Sequence, residues 1–160
     1  MAEVGDQLPD VQVMTSTPDG PRWSSMRDLL GAGTVLLVGV PGAFTPVCTD
    51  FHLPGLVLAA EELTAKGIER IAVVSVNDAF VMNAWGNHNN VGTNFVMVAD
   101  PAANFTKAMG VDTDAAAFGL GVRSERYAAI LRGGIISTLD VEEAFVDHQV
   151  SSAEAVLARL

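Results

Sequence analysis

The run Thr34–Val40, TVLLVGV, is continuous, apolar and rich in β-branched residues, as in a strand buried on both faces of a sheet. It leads directly into Pro41–Leu56, PGAFTPVCTDFHLPGL, which contains the only cysteine of the 160-residue chain, Cys48. In open α/β sheets, functional side chains gather at the carboxyl ends of the strands. The sequence therefore places Cys48 just beyond the carboxyl end of the first strong strand, where a functional site is expected.

Further apolar runs alternate with stretches of helical composition. The predicted strands are Ile68–Val76, Phe95–Ala99, Tyr127–Leu131 and Ile135–Leu139. The predicted helices are Leu56–Lys66, Ala79–Trp85, Ala102–Met109 and Ala153–Leu160, the last capped by Ser151 or Ser152. Gly133-Gly134 predicts a hairpin between the last two strands. This order predicts one α/β domain over residues 1–160, a mixed sheet flanked by helices on both faces.

The composition limits the class of function. Apolar residues make up 49% of the chain, which is typical of a folded globular domain. The formal net charge of -10 disfavours nucleic acid and anionic membranes as partners. A single cysteine and a start without signal-peptide character predict a reducing compartment, the cytoplasm. His88 and His148 lack metal-ligand spacing, so no metal site is predicted.

The residues around Cys48 favour a reactive thiolate. Thr45 can cap a helix that starts at Pro46, which places Cys48 in the first turn. Free backbone N–H groups and the positive end of the helix dipole there stabilise a thiolate. The Thr45 hydroxyl is close enough in sequence to reach the sulfur or a ligand bound to it. Pro41 stiffens the loop and could shield the sulfur, and Pro54 predicts a kink in the helix.

Cations are scarce in this acidic chain, yet GVRSERYA, Gly121–Ala128, contains two arginines. Arg126 immediately precedes a predicted strand and would lie beside Cys48 if that strand neighbours the first one. Its guanidinium stays cationic and can donate to a sulfur and an oxygen together. Arg123 is the second candidate for this role. His52, four residues after Cys48, either tunes the thiol or makes only a local hydrogen bond.

These segments together resemble a peroxiredoxin of the type II or peroxiredoxin-five subfamily. The family pattern Pro-x-x-x-Thr-x-x-Cys is matched by Pro41, Thr45 and Cys48 within PGAFTPVC, and RSERYA puts the family arginine on Arg126. The runs VGDQLPDV, from Val4, and VSVNDAFVMNAW, from Val74, are also similar to the subfamily. The resemblance covers essentially the whole chain and implies a thioredoxin-like fold.

The resemblance also implies a mechanism, thiol-dependent reduction of hydrogen peroxide and organic hydroperoxides without a cofactor. Cys48 would attack the peroxide and become a sulfenic acid. Arg126 would stabilise the thiolate, and Thr45 with the N–H groups at Val47 and Cys48 would hold the peroxide. Some relatives carry a resolving cysteine, but this sequence has none. An external thiol would therefore recycle Cys48, either glutathione with glutaredoxin or thioredoxin.

The resemblance further implies a homodimer, with Phe44 at the site or at the subunit contact. Two other functions remain open at this stage. A non-catalytic peroxide sensor would keep the same reactive Cys48. A thiol–disulfide exchange protein on the same fold would need a second cysteine, and Thr45 stands where thioredoxins carry it. The acidic pair Glu142-Glu143 is expected to be a solvated surface.

Overall fold

A seven-stranded mixed sheet forms the centre of the computed structural model, which describes residues 1–160. The nine strands of the protein are β1 Gln12–Thr17, β2 Gly20–Ser25, β3 Thr34–Gly39, β4 Arg70–Ser75, β5 Phe95–Ala99, β6 Asp112–Asp114, β7 Val122–Ser124, β8 Tyr127–Arg132 and β9 Ile135–Val141. The strand order in the large sheet is β2-β1-β5-β4-β3-β8-β9, and β6 pairs with β7 in a separate small sheet. The β3–β4 and β4–β5 pairs are parallel, and all the other pairs are antiparallel.

Helices cover both faces of the sheet. They are α1 Met26–Leu30, α2 Leu53–Ala65, α3 Ala79–His88, α4 Asn104–Met109 and α5 Ala153–Arg159. Helices α2, α3 and α5 pack on one face, and α1 and α4 pack on the other. Alternate residues of β3 pack into the two hydrophobic cores. Leu36 and Val38 face α2, α3 and α5, whereas Val35 and Leu37 face α1 and α4. None of the helices has the combination of length and apolar character needed to cross a bilayer.

The predicted mixed α/β sheet is confirmed, and most boundaries shift by one to three residues. The hairpin of β8 and β9 turns at Gly133 and Gly134, whose φ angles of 59° and 79° suit glycine. Three features were not predicted from the sequence: α1, the hairpin of β1 and β2, and the short pair β6 and β7. The β1–β2 hairpin is half polar because it ends the sheet, so its apolar periodicity is weak.

The carboxyl end of β3 is held close to β8. Gly39 pairs with Tyr127 across these two strands, and the Tyr127 ring occupies the space that a Gly39 side chain would need. Tyr127 is the first residue of β8, so Arg126 stands at the end of β3 where the chain leaves the sheet toward Cys48. The strand adjacency required to bring Arg126 to Cys48 is therefore present.

Candidate active site

The loop between β3 and the cysteine is fastened from two sides. On one side, the Asn77 side-chain oxygen accepts hydrogen bonds from the Ala43 N–H at 3.0 Å and from the Ser75 hydroxyl at 2.6 Å. On the other side, Arg123 donates from Nη1 to the Pro41 carbonyl at 3.4 Å. These contacts fix the direction in which the loop enters the helix that follows.

Helical backbone begins at Pro46, so Cys48 lies in the first turn as predicted. The expected Thr45 cap is wrong in detail, because the Thr45 hydroxyl donates to the Gly42 carbonyl at 2.6 Å instead of accepting from the helix. The loop turns tightly here, and that carbonyl lies within reach of the hydroxyl. The amide N–H groups of Val47 and Cys48 consequently have no acceptor within the protein. They remain available for a ligand at the helix start.

The helix is irregular at the cysteine. Cys48–His52 forms a π-helical turn in which the Leu53 N–H donates to the Cys48 carbonyl, five residues back. Pro54 follows at the start of α2. The predicted kink at Pro54 thus takes the form of a widened turn, which accommodates a proline that lacks an N–H and crowds the preceding turn. Cys48 is fully buried and is a free thiol.

The sulfur of Cys48 meets a buried guanidinium. Arg126 Nη1 donates to Cys48 Sγ at 3.3 Å and also to His52 Nδ1 at 3.0 Å. Arg126 is only 2% exposed, and Cys48 and His52 are 0% exposed. A cation this far from water interacts strongly with a thiolate, because solvent screens it little. The arrangement supplies the local positive potential that the acidic chain otherwise lacks.

The second ring nitrogen of His52 fixes its protonation. Nε2 lies 2.9 Å from the Ser151 carbonyl, which can only accept, so Nε2 carries the proton and Nδ1 is left to accept from Arg126. Burial, the Arg126 charge and His148 lower the pKa of His52 from 6.5 to about 3. His52 is therefore neutral at pH 7, and its contacts join two distant segments. They are not the local hydrogen bond weighed in the sequence analysis.

Glu142 is buried, so the expectation of a solvated acidic pair is wrong for this residue. Its carboxylate accepts from the N–H groups of Gln149, Val150 and Ser151 and from the Ser151 hydroxyl. Burial raises the pKa of Glu142, but these four hydrogen bonds outweigh burial and leave the pKa below its usual value. We call these four hydrogen bonds the Glu142 clamp. No local sequence pattern predicts it, because it depends on where residues 149–151 lie in the folded chain.

A cavity of about 360 Å³ opens at the site. The loop before Cys48 forms one wall of the cavity. The opposite wall is an apolar lip made of Phe118, Leu120, Phe145 and Val146. The lining residues are Pro41, Thr45, Pro46, Val47, Phe118, Leu120, Arg126, Phe145 and Val146. The rings of Phe118 and Phe145 stack with centroids 5.2 Å apart. This lip was not predicted from the sequence, because its residues come from two segments far apart in the chain.

Two candidate residues lie away from the sulfur. Arg123 donates from Nε to the Leu120 carbonyl and from Nη1 to Pro41, so it braces the loop and the lip and makes no hydrogen bond to Cys48. Phe44 is half exposed, has a φ of 62° and packs its ring on His88, 5.7 Å between centroids. Phe44 does not line the cavity. No group of three or more metal-ligating side chains occurs in the structure.

The lowered pKa of His52 predicts a pH-dependent stability. Below about pH 6.5 the unfolded chain protonates this ring, whereas the folded chain excludes the proton down to about pH 3. The free energy of unfolding should therefore decrease as the pH falls from about 6.5, by up to about 1.4 kcal/mol per pH unit for one proton. Urea unfolding between pH 7.5 and 5.0 measures this slope.

His148 contributes with the same sign, because burial and Arg126 lower its pKa too. Its ring lies 4.6 Å from that of His52 between centroids. The matched variants His52→Asn and His148→Asn should each make the slope shallower. Glu142 affects the stability only at lower pH, because the ordinary pKa of a glutamate is 4.5. An unchanged slope in His52→Asn would contradict the assigned neutral ring.

Several known proteins are similar to this chain over almost its whole length. The profile of the Redoxin family matches residues 3–157. The chain is 43% identical to peroxiredoxin-2E-2 (chloroplastic) of Oryza sativa subsp. japonica, over 98% of this chain and 72% of that protein. It is 39% identical to peroxiredoxin-2C of the same plant, over 98% of this chain and 97% of the relative. The crystal structure of reduced Prx3 from Vibrio vulnificus in complex with hydrogen peroxide superposes with a TM-score of 0.94 at 45% identity, over 99% of both chains.

The family match and these relatives show that the chain is a thiol-dependent peroxidase on a thioredoxin-like fold. The chain belongs to the redoxin family and, within that family, to the peroxiredoxins. The resemblance noted from PGAFTPVC and RSERYA is confirmed at the level of the family.

Proposed function

We propose that Cys48 is the nucleophile that cleaves the peroxide O–O bond. The observation that carries this proposal is the 3.3 Å contact between Arg126 Nη1 and Cys48 Sγ in a buried site. In the step, the thiolate sulfur bonds to the terminal oxygen of ROOH, the O–O bond breaks, and RO⁻ leaves and takes up a proton. The products are a sulfenic acid on Cys48 and an alcohol, or water when the substrate is hydrogen peroxide.

The cavity supports roles for the neighbouring residues. The N–H groups of Val47 and Cys48 have no protein acceptor and can donate to the peroxide oxygens. The Thr45 hydroxyl already donates to Gly42, so its lone pairs can accept a hydrogen bond from the peroxide O–H. Pro41 forms part of the wall and reduces water access to the sulfur. Donors fixed in advance around a developing negative charge are the main source of rate enhancement in such sites.

The recycling step is predicted from the cysteine count. Cys48 is the only cysteine in these 160 residues, so its sulfenic acid cannot form a disulfide within them. A disulfide between two chains would require two buried Cys48 sulfurs to approach to about 2 Å, which needs the site to unfold, whereas a small thiol can enter more easily. We therefore expect glutathione to form a mixed disulfide at Cys48, releasing water, and a second thiol to restore the cysteine.

Intact mass spectrometry tests this recycling. One sample receives one equivalent of peroxide with glutathione and should gain a single glutathione adduct. A second sample receives excess peroxide alone and should reach the sulfinic acid, which dithiothreitol does not reverse. A covalent dimer without adduct in the first sample would overturn the prediction, as would full reversal by dithiothreitol in the second. Steady-state peroxide consumption with glutathione and glutaredoxin, compared with thioredoxin and its reductase, identifies the reductant.

We also propose a homodimer that contacts through the surface around Phe44, as the resemblance implies. Phe44 is 50% exposed, so the isolated chain presents a large apolar side chain to solvent at this surface. Light scattering at micromolar concentration should give twice the chain mass of 16.8 kDa. Phe44→Glu should shift the mass to the monomer, whereas Leu58→Glu, also an exposed apolar position, should not. A monomeric wild type would refute the proposal.

The cytoplasm is the proposed compartment. A free, unpaired Cys48 needs a reducing environment and a thiol supply to be recycled. Fluorescence microscopy of a tagged chain in its own cells tests this location.

A further inference from the structure

We propose that Glu142 is a positioning residue for the peroxidase site, acting on Arg126 through Ser151 and His52. The inference rests on the proposed roles of Cys48 and Arg126. It assigns a function to a buried carboxylate that touches neither the sulfur nor the cavity that we assign to the peroxide. Four consecutive contacts carry it, from Glu142 to Ser151, to His52, to Arg126 and to Cys48.

Arg126 depends on this support because little else orients it. Its hydrogen bonds run through Nη1 alone, to Cys48 Sγ and His52 Nδ1, and its buried Nε has no partner. No carboxylate forms a salt bridge with it. Apart from the nucleophile itself, His52 is thus the one side chain that forms a hydrogen bond with the guanidinium. A loss of the His52 acceptor would leave Arg126 free to leave the sulfur.

His52 can accept from Arg126 only in one tautomer. The Ser151 carbonyl, 2.9 Å from Nε2, selects the form in which that nitrogen carries the proton. If the carbonyl moved away, the ring could shift its proton to Nδ1 and would then present a donor to the Arg126 N–H. The position of the Ser151 carbonyl therefore decides whether the Arg126 contact survives.

Glu142 holds that carbonyl. The segment Gln149–Ser151 belongs to no helix or strand, so its backbone is fixed mainly by the carboxylate. Glu142 Oε2 accepts from the Ser151 N–H at 2.9 Å and from the Ser151 hydroxyl at 2.6 Å, while Oε1 accepts from Val150. A carboxylate accepts at both oxygens, whereas an amide would turn an NH2 group toward these donors. The clamp consequently requires an ionised glutamate at this position.

The charged groups that face His52 agree with this assignment. Arg126 and His148 disfavour protonation of the His52 ring. Glu142 favours protonation, but only weakly, because it lies beyond Ser151. The imidazole therefore acts as a neutral hydrogen-bond relay over the working pH range. It does not act as an acid or a base in the reaction.

The test compares Glu142→Gln with Glu143→Gln, a matched loss of charge at the exposed neighbouring glutamate. The first readout is the 15N NMR spectrum of the His52 ring, which reports the tautomer without any turnover. We expect one Nε2–H tautomer in the wild type and in Glu143→Gln, and a mixture in Glu142→Gln. The second readout is the rate at which one equivalent of peroxide consumes the Cys48 thiol, which should fall about tenfold or more in Glu142→Gln only.

Glu142→Asp keeps the carboxylate and should recover part of both signals, which a purely structural role would not predict. If Glu142→Gln keeps a single tautomer and the wild-type rate, the inference is overturned. If Glu142→Gln does not fold, Glu142→Asp and the wild-type spectrum decide, and a His52 ring that titrates near pH 6.5 would overturn it. The tautomer readout does not depend on whether Cys48 is the nucleophile, which Cys48→Ser tests separately.

Discussion

Replacing Cys48 with serine is expected to abolish peroxide reduction while leaving the fold intact. The hydroxyl is close in size to the thiol and can still accept from Arg126, so the buried network loses no partner. An alcohol is almost entirely protonated at neutral pH and is a far weaker nucleophile toward the O–O bond. Peroxide consumption with an excess of thiol reductant should drop to the rate without protein.

Thr49→Ser is the matched control for this experiment. Thr49 is the next residue of the same π-helical turn, and its hydroxyl accepts from the Trp85 ring N–H at 3.0 Å. Serine keeps that acceptor, so activity should stay close to that of the wild type. Both variants should show the circular dichroism and the unfolding midpoint of a folded chain. Turnover by folded Cys48→Ser above the background would refute the central role of the cysteine.

Much of the fold was predictable because its strongest signals are local. The apolar run that became β3 alternates between two cores, and such a run has few other folded solutions. Gly133-Gly134 has the positive φ angles that a tight hairpin needs. By contrast, Gln12–Thr17 lies next to the edge strand and buries few residues, so its pattern carried no comparable signal.

The candidate site was predictable only where the chain itself places residues together. Cys48, the helix start and the preceding loop are continuous in sequence, and their arrangement follows from one strand and two prolines. Arg126 needed the family resemblance as well, because nothing local states which strand lies beside β3. Neither source distinguished the hydrogen-bonding directions of Thr45, which depend on the Gly42 carbonyl.

The remaining parts of the site are set by tertiary contacts alone. The lip formed by Phe118 and Phe145 joins residues that are far apart in sequence. In the sequence, Glu142 has no feature that distinguishes it from an exposed acidic residue. In the structure it is buried and accepts hydrogen bonds from residues 149–151. For charged residues, exposure is the ordinary outcome, so a buried and fully hydrogen-bonded carboxylate has to be seen in the structure.

Arg126→Lys is expected to give the second-largest loss of activity, about 10²- to 10³-fold in the peroxide step, by analogy with removing one fixed donor from a charge-stabilising site. Lysine keeps the positive charge but offers a compact ammonium in place of a planar fork. Arg126 Nη1 donates to both Cys48 and His52, and Arg126 also lines the cavity. An ammonium cannot reproduce all of these directions at once, so charge alone should not restore the rate.

The matched control is Arg123→Lys, because Arg123 donates to backbone carbonyls and makes no hydrogen bond to the sulfur. Its expected loss is less than about tenfold, since it braces the loop without touching the reacting atoms. The measurement is the second-order rate constant for loss of the Cys48 thiol on adding peroxide, followed over a range of pH. A larger loss in Arg123→Lys than in Arg126→Lys would transfer the role to the other arginine.

The pH series separates two ways in which Arg126 could act. If the contact between Nη1 and the sulfur served only to form the thiolate, the deficit of Arg126→Lys should disappear at high pH. If the Arg126 N–H groups also stabilise the charge that develops on the leaving oxygen, the deficit should persist at every pH. We expect the deficit to persist, because Arg126 lines the cavity as well as contacting the sulfur. Full recovery at high pH would limit Arg126 to forming the thiolate and leave transition-state stabilisation to the Val47 and Cys48 N–H groups.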